Sequence, residues 1–355
     1  MHVKDELLLY LDAHRDRYVS GEELMAHLSL SRTSLWHNLR SLRSGRYHIL
    51  SEHGAGYRLA DSCELYTAPA LSARLQGAAK EYTLDVRTAL TSTNKTLREM
   101  AKDGAPTGTV LIANKQSAGY GRHQRVFFSP NGGIYMSLLL RPQLDAARAL
   151  TLTTAAAVAV VEVIKELTGR QAYIKWVNDI YLDEKKVCGI LTESALTPNG
   201  QLDYAILGIG VNIFAPGSGF PKSIQNIAGA IYPEDTPVLG QRSAFLVALL
   251  NRLATILPES DSPYVHAAYC KASFLPGHTV TVLRDDGSEQ LAAVLGIDEQ
   301  YRLLVRYADG SCDALFSGEV SIRKMPSILQ KSEEDAITSS EKSKKAGTKA
   351  AKNRK

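Results

Sequence analysis

The sequence predicts an α+β fold in three successive parts, on three observations. Residues 1–62 carry helical apolar stripes joined by a tight turn and followed by a glycine-tipped hairpin. The middle of the chain alternates helices with strands, and four of those strands lie close together between turn signals. The last stretch before the C-terminal tail is made of short strands broken by Asp-Gly turns. Adjacent hairpins build an antiparallel or mixed sheet, not a doubly wound one, and helices are expected to cover one of its faces.

At the N-terminus, Leu7, Leu8 and Leu11 give a helical stripe. Ser20, with Glu23 three residues later, is a capping-box signature opening a short helix with Leu24 and Leu28. After the polar turn Ser29-Leu30-Ser31, a helix from about Arg32 to Leu42 sets Leu35, Leu39 and Leu42 on one face. Its other face presents Arg32, Thr33, Ser34, His37, Asn38 and Arg40, side chains of the kind that read base edges and phosphates in a major groove. His48-Ile49-Leu50 and Tyr57-Arg58-Leu59, joined by Glu52 to Gly56, form the wing of a winged helix-turn-helix. Three-helix units also serve as protein-binding modules. Polar rather than acidic residues on the exposed face of the Arg32–Leu42 helix favour DNA, and Arg32, Arg40, Arg43 and Arg46 would make that binding salt-dependent.

Residues 63–82 read as a helical linker anchored by Leu65, Leu71 and Leu75, within a central domain of residues 63–272. Leu84-Asp85-Val86 is a strand, and Thr91 to Asn94 cap a helix bearing Leu97, Met100 and Ala101. A long alanine-rich helix runs from about Ala147 to Leu167 and stops before Gly169. The four close strands are Tyr173 to Trp176, Ile180 to Leu182, Lys186 to Leu191 and Tyr204 to Asn212. Residues 273–326 hold the run of short strands, turning at Asp285-Asp286-Gly287 and Asp309-Gly310 and ending with Val320-Ser321-Ile322. They suggest a small SH3-like β-barrel. The lysine-rich tail, residues 327–355, is too poor in apolar residues to fold and is expected to be disordered, solubilising the chain or adding non-specific attraction to DNA.

A chain of 355 residues, 45% hydrophobic, has enough apolar side chains for two or three cores. Its net charge of +4 is too mild to announce nucleic acid by itself. The four cysteines, Cys63, Cys188, Cys270 and Cys312, lie far apart, which favours reduced thiols and argues against a zinc site. With no secretory signal and no apolar run long enough to span a bilayer, the expectation is a soluble cytoplasmic protein with no membrane partner.

The richest stretch is Asn114 to Asn131, a loop between the strand-like segments Thr109–Ala113 and Ile134–Leu140. It holds Gly119, Gly121, Arg122, His123, Arg125 and the pair Phe127-Phe128. Glycines admit close backbone approach and arginines offer forked donors, so the loop suits an anionic ligand. Four further segments add chemistry. Ser92-Thr93-Asn94 places hydroxyls and an amide at a helix start, and Gln116 adds a side-chain amide. Lys175 to Asp179 joins a cation, an amide and a carboxylate at a turn, with Lys186 on the next strand. Gly208-Ile209-Gly210-Val211-Asn212 is a glycine-spaced strand end. Each is weak alone; their order is specific.

Over residues 1 to about 325 this arrangement resembles the bifunctional biotin protein ligase/biotin operon repressor family. The family's motifs recur here in order as Ser92-Thr93-Asn94, Gln116 with Gly119-Tyr120-Gly121-Arg122, Lys175-Trp176-Val177-Asn178-Asp179, Lys186 with Gly189-Ile190-Leu191, and Gly208 to Asn212. Tyr120 stands where the family usually has an arginine, Gln124 where it usually has a glycine, and Val177 in place of a common proline. The resemblance implies a ligase domain of the biotin/lipoate ligase type. Biotin and ATP give biotinyl-5′-AMP and pyrophosphate, and a lysine of a biotin carboxyl carrier protein then takes the biotinyl group. It also implies that the adenylate favours a homodimer, which sets two winged helices on operator DNA as a repressor of biotin genes.

The same resemblance assigns the site. Lys186 and Arg122 are catalytic. Ser92, Thr93, Asn94, Gln116, Tyr120, Gly121, Arg122, Trp176 and Lys186 bind biotin. Gly119, Arg122, Arg125, Lys175, Asn178 and Asn212 bind ATP and the adenylate. No protein metal set is assigned; Mg²⁺ comes with ATP, and Asp179 is the single carboxylate considered for it. Two alternatives share these features: a biotin-sensing regulator without catalysis, and a lipoate-type ligase.

Overall fold

The computed structural model describes residues 3–44, 47–61, 63–141, 149–232, 240–283, 287–316 and 319–321. Arg46, Ala147, Asp285, Asp286, Ile322 and the tail at 327–355, all named above, lie outside the described residues. Among the described residues, no helix is long and apolar enough to cross a membrane.

The N-terminal unit has helices α1 (Val3–Ala13), α2 (Gly21–Leu28) and α3 (Arg32–Ser44), then strands β1 (Ile49–Glu52) and β2 (Gly56–Leu59). Ser20 caps α2 as its sequence suggests, its hydroxyl accepting from the Glu23 amide at 3.0 Å. The return half of the capping box is replaced. The Glu23 carboxylate turns to Arg17 and to the Tyr10 hydroxyl instead, tying α2 to α1. Leu7, Leu11, Leu24, Leu35, Leu39 and Leu59 close one small core. Arg43 points back to the Ile49 carbonyl, at 3.1 Å, and lies over the Tyr57 ring, so it braces the wing.

A short helix, α4 (Ala68–Ser72), and a 3-10 turn at Gly77–Glu81 carry the chain onward. Leu65 packs into the N-terminal core, while Leu71 and Leu75 pack into the main one, so the linker is stitched to both bodies.

The main sheet has seven strands in the order β3-β4-β5-β9-β8-β7-β6. They are β3 (Thr83–Arg87), β4 (Thr109–Ala113), β5 (Ile134–Leu140), β6 (Tyr173–Lys175), β7 (Asp179–Leu182), β8 (Lys185–Leu196) and β9 (Leu202–Val211). Only β3 and β4, joined through α5 (Thr93–Lys102), pair in parallel, so the sheet is mixed. Period-two alternation sorts its side chains. Val110, Ile112, Met136, Leu207 and Ile209 face the core shared with α6 (Ala149–Thr168), α7 (Gln241–Ile256) and α8 (Pro263–Ala272). Leu111, Leu139 and Ile206 face the opposite way, against Leu97 and Ala101 of α5. The expectation of helices on one face alone is thereby corrected. The α5 crossover covers part of the second face, and what it leaves uncovered is the site.

The C-terminal sheet runs β10 (Thr279–Leu283), β11 (Glu289–Ile297), β12 (Leu303–Tyr307), β13 (Cys312–Leu315) and β14 (Glu319–Ser321). Its order, β13-β12-β11-β10-β14, is an antiparallel sheet with β13 and β14 at its edges. Its buried side chains, among them Val280, Val294 and Leu303, are continuous with the main core.

Candidate functional site

The site lies on the α5 face of the main sheet, where β9 and β8 run out from under that helix. Gly208 and Gly210 share the parity of Ile206, which faces α5. A Cβ on Gly208 would stand 2.2 Å from the Asn94 Oδ1, and one on Gly210 would stand 2.5 Å from the Phe127 ring. Two side chains are missing from the strand so that α5 and the loop can lie against its backbone. That is the physical content of the glycine-spaced strand end.

At the head of α5, Ser92 is the N-cap. Gln116 Oε1 accepts from the Thr93 amide at 2.8 Å and from its hydroxyl at 3.1 Å. Ser137, fully buried on β5, lies 2.7 Å from the Thr93 hydroxyl and 2.6 Å from the Asn94 Oδ1. The Asn94 amide donates to Glu193 at 2.8 Å. Buried polar groups tied this closely are held in one orientation before any ligand arrives.

The loop after β4 folds over this wall as a small hairpin. The Phe127 amide donates to the Gly119 carbonyl at 2.8 Å, and the Gly121 amide to the Arg125 carbonyl at 2.8 Å. His123 and Gln124 at its tip have φ of 53° and 57°. Gln124 thus holds a backbone conformation that glycine adopts more cheaply, in keeping with the glycine usual there in the resembling family.

The opposite wall comes from β6 to β8. Trp176 is buried and its Nε1 donates to the Tyr301 carbonyl of the C-terminal segment at 2.8 Å. The peptide between Trp176 and Val177 is cis. The Asn178 amide donates to the Ile190 carbonyl at 2.7 Å. Lys186 Nζ sits 2.6 Å from Asp179 Oδ1, a pair that is only partly exposed. Beside them Cys188 is fully buried, which raises its thiol well above the usual range and leaves it no role as a nucleophile.

These walls enclose a cavity of about 170 Å³. Every residue assigned to biotin lines it: Ser92, Thr93, Asn94, Gln116, Tyr120, Gly121, Arg122, Trp176 and Lys186. Of the nucleotide set, Arg122, Arg125, Lys175 and Asn178 line it too. Gly119 and Asn212 stand outside its wall. Gly119 is at the loop's base, and the Asn212 amide donates to the Gly229 carbonyl at 2.9 Å, pinning the following segment. Four cations and one carboxylate, Asp179, share the lining, so the cavity favours an anion. Among the described residues no group of three or more His, Cys, Asp or Glu side chains could hold a metal ion.

Several lining residues were given no ligand role from the sequence, among them Phe127 and Met136, whose apolar character reads as packing, and Tyr135 and Val320. Val320 comes from β14, so the C-terminal sheet helps to close the cavity.

Of the expected base-reading residues on α3, Arg32, Thr33, His37 and Arg40 are exposed and Ser34 and Asn38 partly so. Asn38 donates to the Ser34 carbonyl at 2.8 Å, and Ser34 bonds with Ser31 at 3.0 Å, so both spend bonds on the helix start. Trp36 is half exposed on the same surface, with the Arg40 guanidinium 5.1 Å from its ring centre. Its exposure, and not its residue type, marks it.

A mixed sheet with a cationic, glycine-floored cavity behind a winged helix defines a ligase-type domain joined to a DNA-binding one. Residues 86–212 match the model of the biotin/lipoate A/B protein ligase family, and residues 4–58 match an HTH domain. The chain is 36% identical over 229 residues to the bifunctional ligase/repressor BirA of Bacillus subtilis (strain 168), covering 64% of this chain and 70% of that one. It is 28% identical over 310 residues to that of Escherichia coli (strain K12), covering 86% and 92%. The solved biotin protein ligase from Aquifex aeolicus in complex with biotin and ATP is 28% identical, with a TM-score of 0.57, and covers 68% of this chain and 99% of that structure's chain. The chain belongs to the bifunctional biotin protein ligase/repressor family.

Proposed function

We propose that this chain is an ATP-dependent biotin protein ligase, and that with biotinyl-5′-AMP bound it dimerises and represses biotin genes from operator DNA. The observation that carries the reading is the convergence, in one anion-favouring cavity, of a fixed polar arc and a set of cations. The arc of Ser92, Thr93, Asn94 and Gln116 suits the ureido ring of biotin, with Trp176 as an apolar wall.

In the first step a biotin carboxylate oxygen attacks the α-phosphorus of ATP. A phosphorus–oxygen bond forms to the vitamin, and the one to pyrophosphate breaks. Two anions must approach each other, and Lys186 and Arg122 offset their repulsion and the charge that gathers in the transition state. Lys186 is held against Asp179, so its position is set in advance. Mg²⁺ would come bound to the ATP phosphates, and Asp179, paired here with Lys186, is the one carboxylate of the lining that could add a ligand to it. The loop then excludes water from the mixed anhydride. In the second step the amine of a carrier-protein lysine attacks the acyl carbon, AMP leaves, and the amine loses a proton. The two nucleophiles are the biotin carboxylate and the carrier lysine, so the reaction asks for none from this chain.

The division at residues 62, 272 and 326 is our reading of the domains. The C-terminal sheet is read as a small SH3-like barrel whose Val320 and Tyr301 brace the site. Incubation with ATP, Mg²⁺, labelled biotin or lipoate, and a carrier domain tests the reaction. Biotin label on the carrier supports it, lipoate label turns it to a lipoate-type ligase, and no label leaves a sensor. For repression, operator affinity in a gel shift should rise with biotinyl-5′-AMP in step with dimer formed in sedimentation.

A further inference from the structure

Tyr120 is bound into the site in a way that the assignment of a ligand contact does not explain. Its hydroxyl donates to Glu193 Oε2 at 2.9 Å, on β8, and accepts from Arg98 Nη2 at 3.1 Å, on α5. Arg98 and Glu193 are themselves ion-paired. Glu193 Oε2 also accepts from the Asn94 amide, and Asn94 leads through Ser137 to Thr93 and Gln116. Gln116 in turn donates to Ser129 at 3.0 Å, and Ser129 to the Phe127 carbonyl at 2.9 Å. The polar chain therefore leaves the loop through Tyr120, crosses the ligand wall and re-enters the loop at its base. Residues 123–126 at the tip are exposed, so little packing holds the loop down there.

We propose that the Tyr120 hydroxyl is a latch: by joining the loop to Glu193 and Arg98 it holds the loop over the cavity and sets how long the adenylate is retained. Tyr120 is here a positioning residue, acting through Glu193. Burial, and then the bond to Glu193, raises its pKa, so the hydroxyl keeps its proton to donate throughout the neutral range. Glu193 links the latch to Asn94, so a ligand seated on Asn94 strengthens the closed loop through shared bonds. The retention role rests on the ligase reading above; the latching of the loop does not.

Tyr120→Phe removes one oxygen and keeps the ring. Two measurements on the full chain test it. Labelled biotinyl-5′-AMP, formed in place, should escape into an unlabelled chase about tenfold faster from the variant, the effect of losing a bond to a charged group. Trypsin should cut after Arg122 and Arg125 several-fold faster in the variant, with or without ligand. In a Glu193→Ala background, adding Tyr120→Phe should change either rate by much less than it does in the parent, since the bond from Arg98 is all that it then removes, whereas a merely structural tyrosine would add its full effect. Escape and cleavage rates within twofold of the parent would overturn the latch. If the parent makes no adenylate from biotin and ATP, the ligase reading fails, and the trypsin rates on the free protein still decide the latch.

Discussion

Replacing Gly208 by alanine tests the site's construction most directly. The new methyl would stand 2.2 Å from Asn94 Oδ1 and 2.8 Å from its Cγ, where ordinary contact begins at 3.4 Å. Asn94 must retreat by more than an ångström, yet it is 4% exposed and fixed by Ser137 at 2.6 Å and Glu193 at 2.8 Å. Moving it breaks or stretches one neutral and one charged hydrogen bond, which costs about 2–3 kcal/mol of stability. If Asn94 grips biotin, affinity falls in step, by at least about tenfold. Denaturant unfolding and calorimetric titration with biotin measure the two effects. Gly296→Ala is the control, because nothing lies within 4 Å of its Cβ and its φ is not in the left-handed region. Unchanged biotin affinity in Gly208→Ala, with stability equal to the Gly296→Ala control, would refute the claim that this strand is stripped to seat Asn94.

Three other outcomes are expected. Lys186→Ala should abolish pyrophosphate release from biotin and ATP while leaving the circular dichroism spectrum intact; release at the parental rate would remove Lys186 from the chemistry. Arg122→Gly should let the adenylate go early, so that label spreads to bystander lysines, and labelling confined to the carrier would contradict the assignment of Arg122 to adenylate binding. Trp36→Ala should weaken operator binding about tenfold, as loss of an aromatic contact does. It should leave both biotin transfer and the salt slope of binding unchanged, since the indole neutralises no phosphate; a slope flattened by one contact would mean that Trp36 acts by holding Arg40.

Periodicity carried much of the fold. The strands around the loop were legible to the residue, at Thr109–Ala113 and Ile134–Leu140, because fully buried runs bounded by turn residues leave little choice. The Ser20 cap was legible, and the start of α5 within Thr91 to Asn94, because capping is a local bond between near neighbours. No helix or strand was assigned between Asn212 and residue 273, although Phe245, Leu246, Leu249, Leu250 and Leu253 give α7 a helical stripe. The α5 crossover was read as a helix, but its face was not, since the side of a sheet that a helix covers is set by long-range packing.

Local sequence determined which segments of this chain are helix, strand or turn, and which residue types could meet an anion. It did so because hydrogen-bond spacing, side-chain period and backbone freedom act over a few neighbouring residues. Tertiary structure alone decided that Asp179 holds Lys186, that Glu193 joins Tyr120 to Asn94, and that Val320 reaches the cavity from the last described strand. Each of those contacts joins different strands, helices or loops, and a partner's position in space is fixed only when the sheet has closed and its faces have been chosen.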